Sequence, residues 1–348
     1  MKFINSHDKG TLTVNHGFLN NNLTERFKFM KIVFLETDTL GNDVDLMKFD
    51  QLGEVVKYPY SEPALNAKRI EEADIVIVNK VSMNQELLEG AKNLKLICIT
   101  GTGTNIVDFP YTNSRNIVVA NVKGYSTQSV VQHTFALFFY LYEKLSYYDR
   151  FVKSGDYIKS DIFSHFTVKF SELAGKTWGI IGLGDIGRGV AEVAKQFGCK
   201  VIYYSTTGKN SNSDYERVEL DTLLDSSDVI SIHAPLNEAT NNLIDENELK
   251  KMKKTAVLLN LGRGPIINEN ALAKALKEEW IGAAGLDVLA VEPMLESNPL
   301  KDIQDSTKLL ITPHIAWATV EARQRVTDEV YQNIVAFQAG EERNVVRA

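Results

Sequence analysis

Four polar residues in the second half of the sequence each come at or after the end of an apolar run that would form a β-strand. Arg263 follows AVLLNLG, Asp287 and Glu292 come after GAAGL, and His314 follows LLITP. In open parallel α/β sheets, ligands bind beyond the carboxyl ends of the strands. We therefore expect one rim of a sheet to carry an arginine, two carboxylates and a histidine.

This combination suits hydride transfer at a carbonyl carbon that lies beside a carboxylate. Arg263 offers a planar fork that binds a carboxylate through two hydrogen bonds. His314 would donate a proton to the ketone oxygen as the hydride arrives, and take it back in the reverse direction. A neighbouring carboxylate, here Glu292, stabilises the imidazolium form.

Each of these residues also has a plain structural interpretation. Arg263 could be a solvated turn residue between two glycines, and Glu292 a turn residue before Pro293. Asp287 could cap a turn, and His314 could form only a local hydrogen bond. Of the other histidines, His233 also follows a strand and could order a nearby loop or have no specific role. His7, His16, His133 and His165 have no partner pattern, and we interpret them as structural or surface residues.

Residues 178–205, WGIIGLGDIGRGVAEVAKQFGCKVIYYS, predict a strand, a tight glycine turn, a helix and a second strand. In such a turn Gly182 allows the sharp bend, Gly184 lets the backbone approach a pyrophosphate, and Gly187 lets the helix pack closely on the strand. The helix N-terminus then offers free N–H groups to the phosphates. This unit predicts a dinucleotide site.

The second strand of that unit ends at Ser205, where NAD-binding units usually carry an acidic residue for the ribose hydroxyls. Thr206, Thr207, Gly208 and Lys209 follow, so no carboxylate repels a 2′-phosphate there. The stretch contains no arginine, and a serine can still hydrogen-bond a ribose. NAD and NADP both stay open.

Strands alternate with helices along most of the chain, which predicts parallel sheets with right-handed crossovers. We expect two doubly wound α/β domains with a cleft between them: the sequence gives βα units over 31–122, a long helix over 126–149, the glycine unit, four more βα repeats and a last helix over 320–339. That last helix follows the final strand of the second domain, so we expect it to pack on the first.

Composition excludes several classes of protein. The net charge of −7 over 348 residues argues against general binding to nucleic acid or to membrane surfaces. Cys98 and Cys199 lie in apolar runs, which favours reduced core residues, a cytoplasmic location and no metal site. No apolar run approaches the ~20 residues of a membrane span. Residues 1–29 are polar, and we treat them as an extension of unknown role.

Five motifs in order make the chain resemble the D-isomer-specific 2-hydroxyacid dehydrogenase family over roughly residues 30–340: GLGDIGRGVA, SIHAPLNEAT, NLGRGPIINENAL, GLDVLAVEP and TPHIAWAT. The resemblance implies that Arg263 binds the substrate carboxylate, that His314 is the acid/base, and that Glu292 is its partner. It implies a flavodoxin-like substrate domain (30–124 plus 318–348) and a Rossmann NAD(P)-binding domain (125–317). The implied cofactor-binding residues are Gly182, Gly184, Asp185, Ile186, Gly187, Ser205, Thr206, His233, Pro235, Leu261 and Asp287.

Within the family, the stretches NK, TGTN, NVKGYST and HIAW look most like glycerate dehydrogenases, also called hydroxypyruvate reductases. The resemblance implies that backbone amides of the loop 100–108, with Thr102 and Gly103, hold the substrate, and Lys80 could touch it. Hydroxypyruvate or glyoxylate is the expected keto acid, and a homodimer the expected assembly. A dinucleotide-sensing regulator of the same fold, and a dehydrogenase for D-lactate, an amino acid or formate, are the alternatives.

Overall fold

The computed structural model describes residues 30–209, 212 and 214–347. The extension at 1–29 lies outside the described residues. Contact density divides the chain into two compact units: a second unit, Ser126–Ala322, and a first unit made of the described residues up to Tyr125 and from Arg323 onwards. Among the described residues no helix is long and apolar enough to cross a membrane.

In the described residues, twelve strands form two sheets, and each pairing between these strands is parallel. The strands are β1 Lys31–Phe34, β2 Glu54–Lys57, β3 Ile75–Val78, β4 Leu96–Ile99, β5 Val118–Ala120, β6 Thr177–Ile181, β7 Lys200–Tyr204, β8 Glu216–Arg217, β9 Val229–Ile232, β10 Val257–Asn260, β11 Ala283–Leu286 and β12 Leu309–Ile311.

The α-helices alternate with these strands, as the sequence predicts. They are α1 Pro63–Ile70, α2 Gln85–Leu88, α3 Phe109–Ser114, α4 Thr127–Tyr142, α5 Leu145–Lys153, α6 Asp185–Gln196, α7 Leu220–Ser226, α8 Glu246–Lys251, α9 Glu269–Lys277 and α10 Val320–Gln338. Short 3₁₀ helices cover Thr37–Leu40, Met47–Gln51, Tyr157–Lys159, Gly264–Ile266 and Pro299–Asp302.

The first unit has strand order β2-β1-β3-β4-β5, which is the flavodoxin-like order. Its inner strands β3 and β4 are IVIV and LICI, buried at every position, as expected for strands covered on both faces. Helix α10 packs on this unit: the Tyr331 ring meets the buried Phe49 ring at 5.6 Å, and Asn333 Nδ2 donates to Asn121 O at 3.2 Å. The expectation that the last helix packs on the first domain is confirmed.

The second unit has strand order β12-β11-β10-β9-β6-β7-β8, so β6 lies at the point where the order reverses. This is the Rossmann arrangement with one further strand at its edge. The prediction of two doubly wound parallel α/β domains is confirmed.

Two helix predictions were wrong, and two elements were not predicted. Within the βα units of 31–122, the sequence predicts a helix over 43–52, but the structure has only the 3₁₀ turn Met47–Gln51 there. The long helix expected over 126–149 is two helices, because Lys144 between α4 and α5 has a left-handed backbone with φ 57°. Strand β8 and helix α7 were not predicted: β8 is two exposed residues, too short for a periodic pattern.

Trp178 on β6 is the largest fully buried side chain and joins α4 to the sheet of the second unit. Its ring centroid lies 5.0 Å from that of Phe135 and 4.9 Å from that of Phe138. Its indole Nε1 donates to Ser231 Oγ on β9 at 2.9 Å. A polar atom of the indole is thereby satisfied inside an apolar core.

Removing that acceptor should destabilise the protein. Ser231→Ala leaves the buried indole N–H unpaired, which costs about 1–3 kcal/mol, and a urea unfolding curve should show the lower midpoint. Ser227 is the matched control: it is also 0% exposed, and its Oγ has no hydrogen-bond partner in the part of the chain that the structure describes. Ser227→Ala should therefore leave the free energy of unfolding unchanged. Equal losses from both variants would contradict this account.

Candidate active site

The histidine and the glutamate predicted to act together are in contact. His314 Nδ1 lies 2.7 Å from Glu292 Oε2, and the other carboxylate oxygen accepts a hydrogen bond from Leu289 N at 3.0 Å. Both side chains remain partly accessible, at 24% and 30%. Because Nδ1 is engaged, Nε2 is the nitrogen through which the ring would exchange a proton with a ligand.

Asp287 holds the segment that carries this histidine. Its carboxylate is 2% exposed, and it accepts hydrogen bonds from Ile315 N at 2.9 Å and from Ala316 N at 2.9 Å. Thr312 Oγ1 donates to it at 2.6 Å. His314 itself has φ 55°, a left-handed conformation that costs energy for a residue other than glycine. The buried carboxylate thus holds a side chain before the strained histidine and two backbone N–H groups after it.

His133, which we interpret from the sequence as a structural or surface residue, belongs to the same network. Its Nε2 lies 3.0 Å from Thr312 Oγ1 and 3.6 Å from Asp287 Oδ1. One turn earlier on α4, the buried Ser129 donates to Ala316 O at 2.5 Å. Positions 129 and 133 share one helical face. A polar pair at that spacing, on a helix otherwise rich in apolar residues, was the signal available in the sequence.

Arg263 comes three residues after β10, next in the sheet to β11, and so lies at the same edge as Asp287. Its own carbonyl accepts from Asn260 Nδ2 at 2.9 Å, and its Nη1 donates to Gly262 O at 2.8 Å. A Cβ on Gly264 would lie 1.9 Å from the carbonyl carbon of Leu289. That flanking glycine is therefore required by the chain's own backbone.

The glycine turn after β6 has the geometry that the sequence predicts. Gly182 has φ 92°, and a Cβ on Gly187 would lie 2.3 Å from Gly182 O. At Gly184, by contrast, a Cβ would meet nothing within 4 Å. Packing within the described chain therefore does not require a glycine at 184. The open space there, at the N-terminus of the twelve-residue helix α6, fits the close approach of a pyrophosphate.

In the first unit, the predicted substrate residues lie at the carboxyl ends of β3 and β4. Thr102 is exposed; its Oγ1 donates to Val122 O at 2.8 Å, and Gly103 follows it in the same loop. Lys80 is exposed, and its backbone N–H donates to Glu36 Oε2 at 2.8 Å. The same oxygen accepts from Asn79 N at 2.8 Å. Glu36, which the sequence did not indicate, fixes this loop.

Comparison with known proteins identifies the family. Residues 135–316 match the family described as D-isomer specific 2-hydroxyacid dehydrogenase, NAD binding domain. The chain is 38% identical over 319 residues to a glycerate dehydrogenase of Methylorubrum extorquens, covering 91% of this chain and 99% of that one. The chain belongs to the D-isomer-specific 2-hydroxyacid dehydrogenase family. Its activity class is therefore NAD(P)-dependent oxidation and reduction of a small 2-hydroxy or 2-keto acid.

Two further similarities support the assignment. A hydroxypyruvate reductase of Blautia hydrogenotrophica is 36% identical over 324 residues, covering 91% of this chain and 99% of that one. The solved structure of a D-lactate dehydrogenase from Aquifex aeolicus, complexed with NAD and lactic acid, superposes with a TM-score of 0.79 at 26% identity, covering 89% of this chain and 96% of that one.

His233 follows β9 and, like the open space at Gly184, shows whether this D-2-hydroxyacid dehydrogenase fits a bound cofactor. Both ring nitrogens are shielded from solvent, and neither has a hydrogen-bond partner in the described part of the chain. Burial lowers the pKa of the imidazole from 6.5 to about 3, so the ring is neutral at neutral pH. A buried polar group without a partner is costly, and a bound ligand could supply one.

The other predicted cofactor residues lie at the carboxyl edge of the second unit. Pro235 is exposed in the loop after His233, and Leu261, 8% exposed, follows β10. The Asp185 carboxylate pairs with the Arg188 guanidinium in the first turn of α6, and Ile186 follows it. The predicted contact of Asp287 with the cofactor stays a prediction, since both of its oxygens already have partners in the chain.

The low pKa of His233 gives a pH dependence of stability. The unfolded chain binds a proton near pH 6.5, whereas the folded chain does not until about pH 3. Above pH 6.5 the neutral ring costs the folded chain nothing. As the pH falls from 6.5 toward 3, the free energy of unfolding decreases by about 1.4 kcal/mol per pH unit. His233→Gln should remove this part of the acid loss, measured by urea unfolding at pH 7.5 and 5.0. An unchanged difference between the two pH values would contradict the shielding of the ring.

Proposed function

We propose that this chain catalyses reversible hydride transfer between NAD(P)H and a small 2-keto acid, with hydroxypyruvate, giving D-glycerate, as the main substrate and glyoxylate, giving glycolate, as a second one. The observation that carries the chemistry is the contact of His314 Nδ1 with Glu292 at 2.7 Å beside a buried carboxylate network. The substrate assignment is supported by the relatives described as glycerate dehydrogenase and hydroxypyruvate reductase.

In this proposal, the residues of the second unit bind the substrate and move one proton. When bound, the nicotinamide supplies the hydride. The guanidinium of Arg263 holds the substrate carboxylate and polarises the ketone. The imidazolium of His314 donates its Nε2 proton to the ketone oxygen, and Glu292 stabilises the charged ring before the transfer. Asp287 keeps the histidine backbone in position throughout.

We propose that the first unit binds the substrate through Lys80, Thr102 and backbone N–H groups near Gly103. The second unit would hold NAD(P) through the residues of the glycine turn, the strand ends and their loops: Gly182, Gly184, Asp185, Ile186, Gly187, Ser205, Thr206, His233, Pro235, Leu261 and Asp287. Cys98 and Cys199, both buried and unpaired, fit a reducing compartment such as the cytoplasm.

Turnover with a panel of keto acids tests this proposal. NADH and NADPH absorbance would be followed with hydroxypyruvate, glyoxylate and pyruvate, and we expect the highest kcat/KM with hydroxypyruvate. A preference for pyruvate would redirect the assignment to a lactate dehydrogenase. Dinucleotide binding without turnover on any acid would favour the regulator, which the presence of Arg263, Glu292 and His314 together argues against.

His314→Gln should lower kcat by about 10²–10⁴-fold, since it removes the general acid. Glu292→Gln keeps an acceptor beside the ring but removes its charge, so its loss should be smaller. Binding of NADH, measured by fluorescence titration, serves as the control and should stay within a factor of two in both variants. Turnover near the wild-type level in His314→Gln would refute the acid/base role.

We propose that the protein is a homodimer through the segment 145–170 of the second unit. Helix α5 buries none of its residues within the chain. The loop after it exposes Ile158 by 88%, Phe163 by 90% and Phe166 by 76%. Several large apolar side chains exposed in one short segment indicate an interaction site. Because a twofold dimer uses the same patch of both subunits, two copies of this one segment can pack against each other about the axis.

Light scattering after size exclusion should therefore give about twice the chain mass of 39.0 kDa. The double variant Phe163→Asp and Phe166→Asp should give a monomer, because a dimer would bury four carboxylates in apolar surroundings. Met47→Asp, at a residue 73% exposed in the first unit, is the control and should leave the mass unchanged. A wild-type monomer would reject the assembly.

A further inference from the structure

The edge strand β8 brings an arginine to the loop that follows Ser205. Strands β7 and β8 are parallel, with Tyr203 opposite Arg217, so both strands end at the same edge of the sheet. Arg217 is the last residue of β8. It lies twelve positions after Ser205 in the sequence, and no local pattern links the two.

The guanidinium of Arg217 is hydrogen-bonded to that loop. Its Nη1 donates to Gly208 O at 2.9 Å, and its Nη2 lies 3.7 Å from the position that a Cβ on Gly208 would take. A guanidinium carries five donors in a rigid fork. One is engaged with Gly208 O in the described structure, so the others can bind an anion.

The charges around this guanidinium favour an anionic ligand. Within the described ranges, no carboxylate forms an ion pair with Arg217. The neighbouring Glu216 pairs instead with Lys200 Nζ at 2.9 Å, and successive side chains of a strand point to opposite faces. In the loop itself Lys209 is exposed, and Ser205, Thr206 and Thr207 contribute only hydroxyls.

The position of this cluster identifies the anion. The loop after the second strand of a dinucleotide-binding unit is where the adenosine ribose lies, and an acidic residue there accepts its 2′-hydroxyl. This chain has Ser205 at that position, and the Arg217 guanidinium, with one donor engaged, lies at Gly208 in the same loop. A phosphate monoester on the 2′-oxygen would approach a loop that carries Lys209, contacts Arg217 and has no carboxylate among residues 205–209.

We propose that Arg217, with Lys209 and the hydroxyls of Ser205 and Thr206, forms a binding site for the 2′-phosphate of NADP(H), and that the enzyme therefore prefers NADP(H) to NAD(H). This inference rests on the proposed function, because it concerns the cofactor of that reaction. Arg217 acts as the specificity-determining residue, from a strand next to the loop rather than from within it.

Two adenosine fragments test the site without any turnover. Adenosine 2′,5′-bisphosphate and adenosine 5′-monophosphate differ only in the 2′-phosphate, and calorimetry on the full chain would give both affinities. We expect the bisphosphate to bind wild type at least about 10-fold more tightly. Arg217→Met should lower that affinity by about 10- to 100-fold and leave the monophosphate within a factor of two.

Lys195→Met is the matched control, since it removes the same charge from an exposed residue in the last turn of α6. It should leave the preference for the bisphosphate intact. Arg217→Lys should retain part of it, and Ser205→Asp should reverse it by placing a carboxylate beside the 2′-position. Circular dichroism and thermal unfolding would show that each variant is folded.

An equal affinity of wild type for the two fragments would overturn the inference, and so would an Arg217→Met variant that keeps the preference. If Arg217→Met fails to fold, reversal by Ser205→Asp and partial retention by Arg217→Lys decide the matter. Binding of neither fragment would instead contradict the dinucleotide site itself, and with it the proposed function. The two failures are therefore distinguishable.

Discussion

The carboxylate of Asp287 is the constraint on which the candidate active site of the second unit depends. It is almost fully buried and accepts from two consecutive backbone N–H groups and from one hydroxyl. A buried charge is tolerated only where such donors surround it. In return, the charge holds the chain on either side of His314 in a conformation that this residue would otherwise rarely adopt. The hydrogen bonds that satisfy the buried carboxylate of Asp287 thus also hold His314 in its strained conformation.

The parallel sheet gives this arrangement its position. Strands β10, β11 and β12 are neighbours with one direction, so the loops that carry Arg263, Asp287 and His314 all leave from one edge. On the other side of β9, strand β6 delivers the glycine turn to the same edge. The glycine turn and the loops that carry Arg263, Asp287 and His314 therefore lie at the same edge because the strands are parallel.

The sequence predicted the parts of the site that local patterns encode. Buried strands are continuous apolar runs, and a polar residue that follows one must lie at the ligand edge, which is why His314 and Arg263 could be identified. The spacing of Ser129 and His133 marks a polar position on α4, but the contact of His133 could not be predicted. Its partner Thr312 is 179 positions away, and only packing of α4 on the sheet brings them together. Lys144 was missed for another reason: a single left-handed residue breaks the helix pattern without any glycine to mark it.

Arg217, too, could not be linked to the cofactor from the sequence, because it lies twelve positions after Ser205. The stretch after Ser205 contains no arginine, and the sequence therefore left NAD and NADP open. A two-residue edge strand then brings the guanidinium to Gly208 by pairing with β7. Selectivity in such a loop depends on which charges surround the ribose, whichever strand carries them. Arg217 holds the loop through one donor and can offer its other donors to a ligand. The same side chain thus sets both the loop conformation and the positive charge of the proposed site.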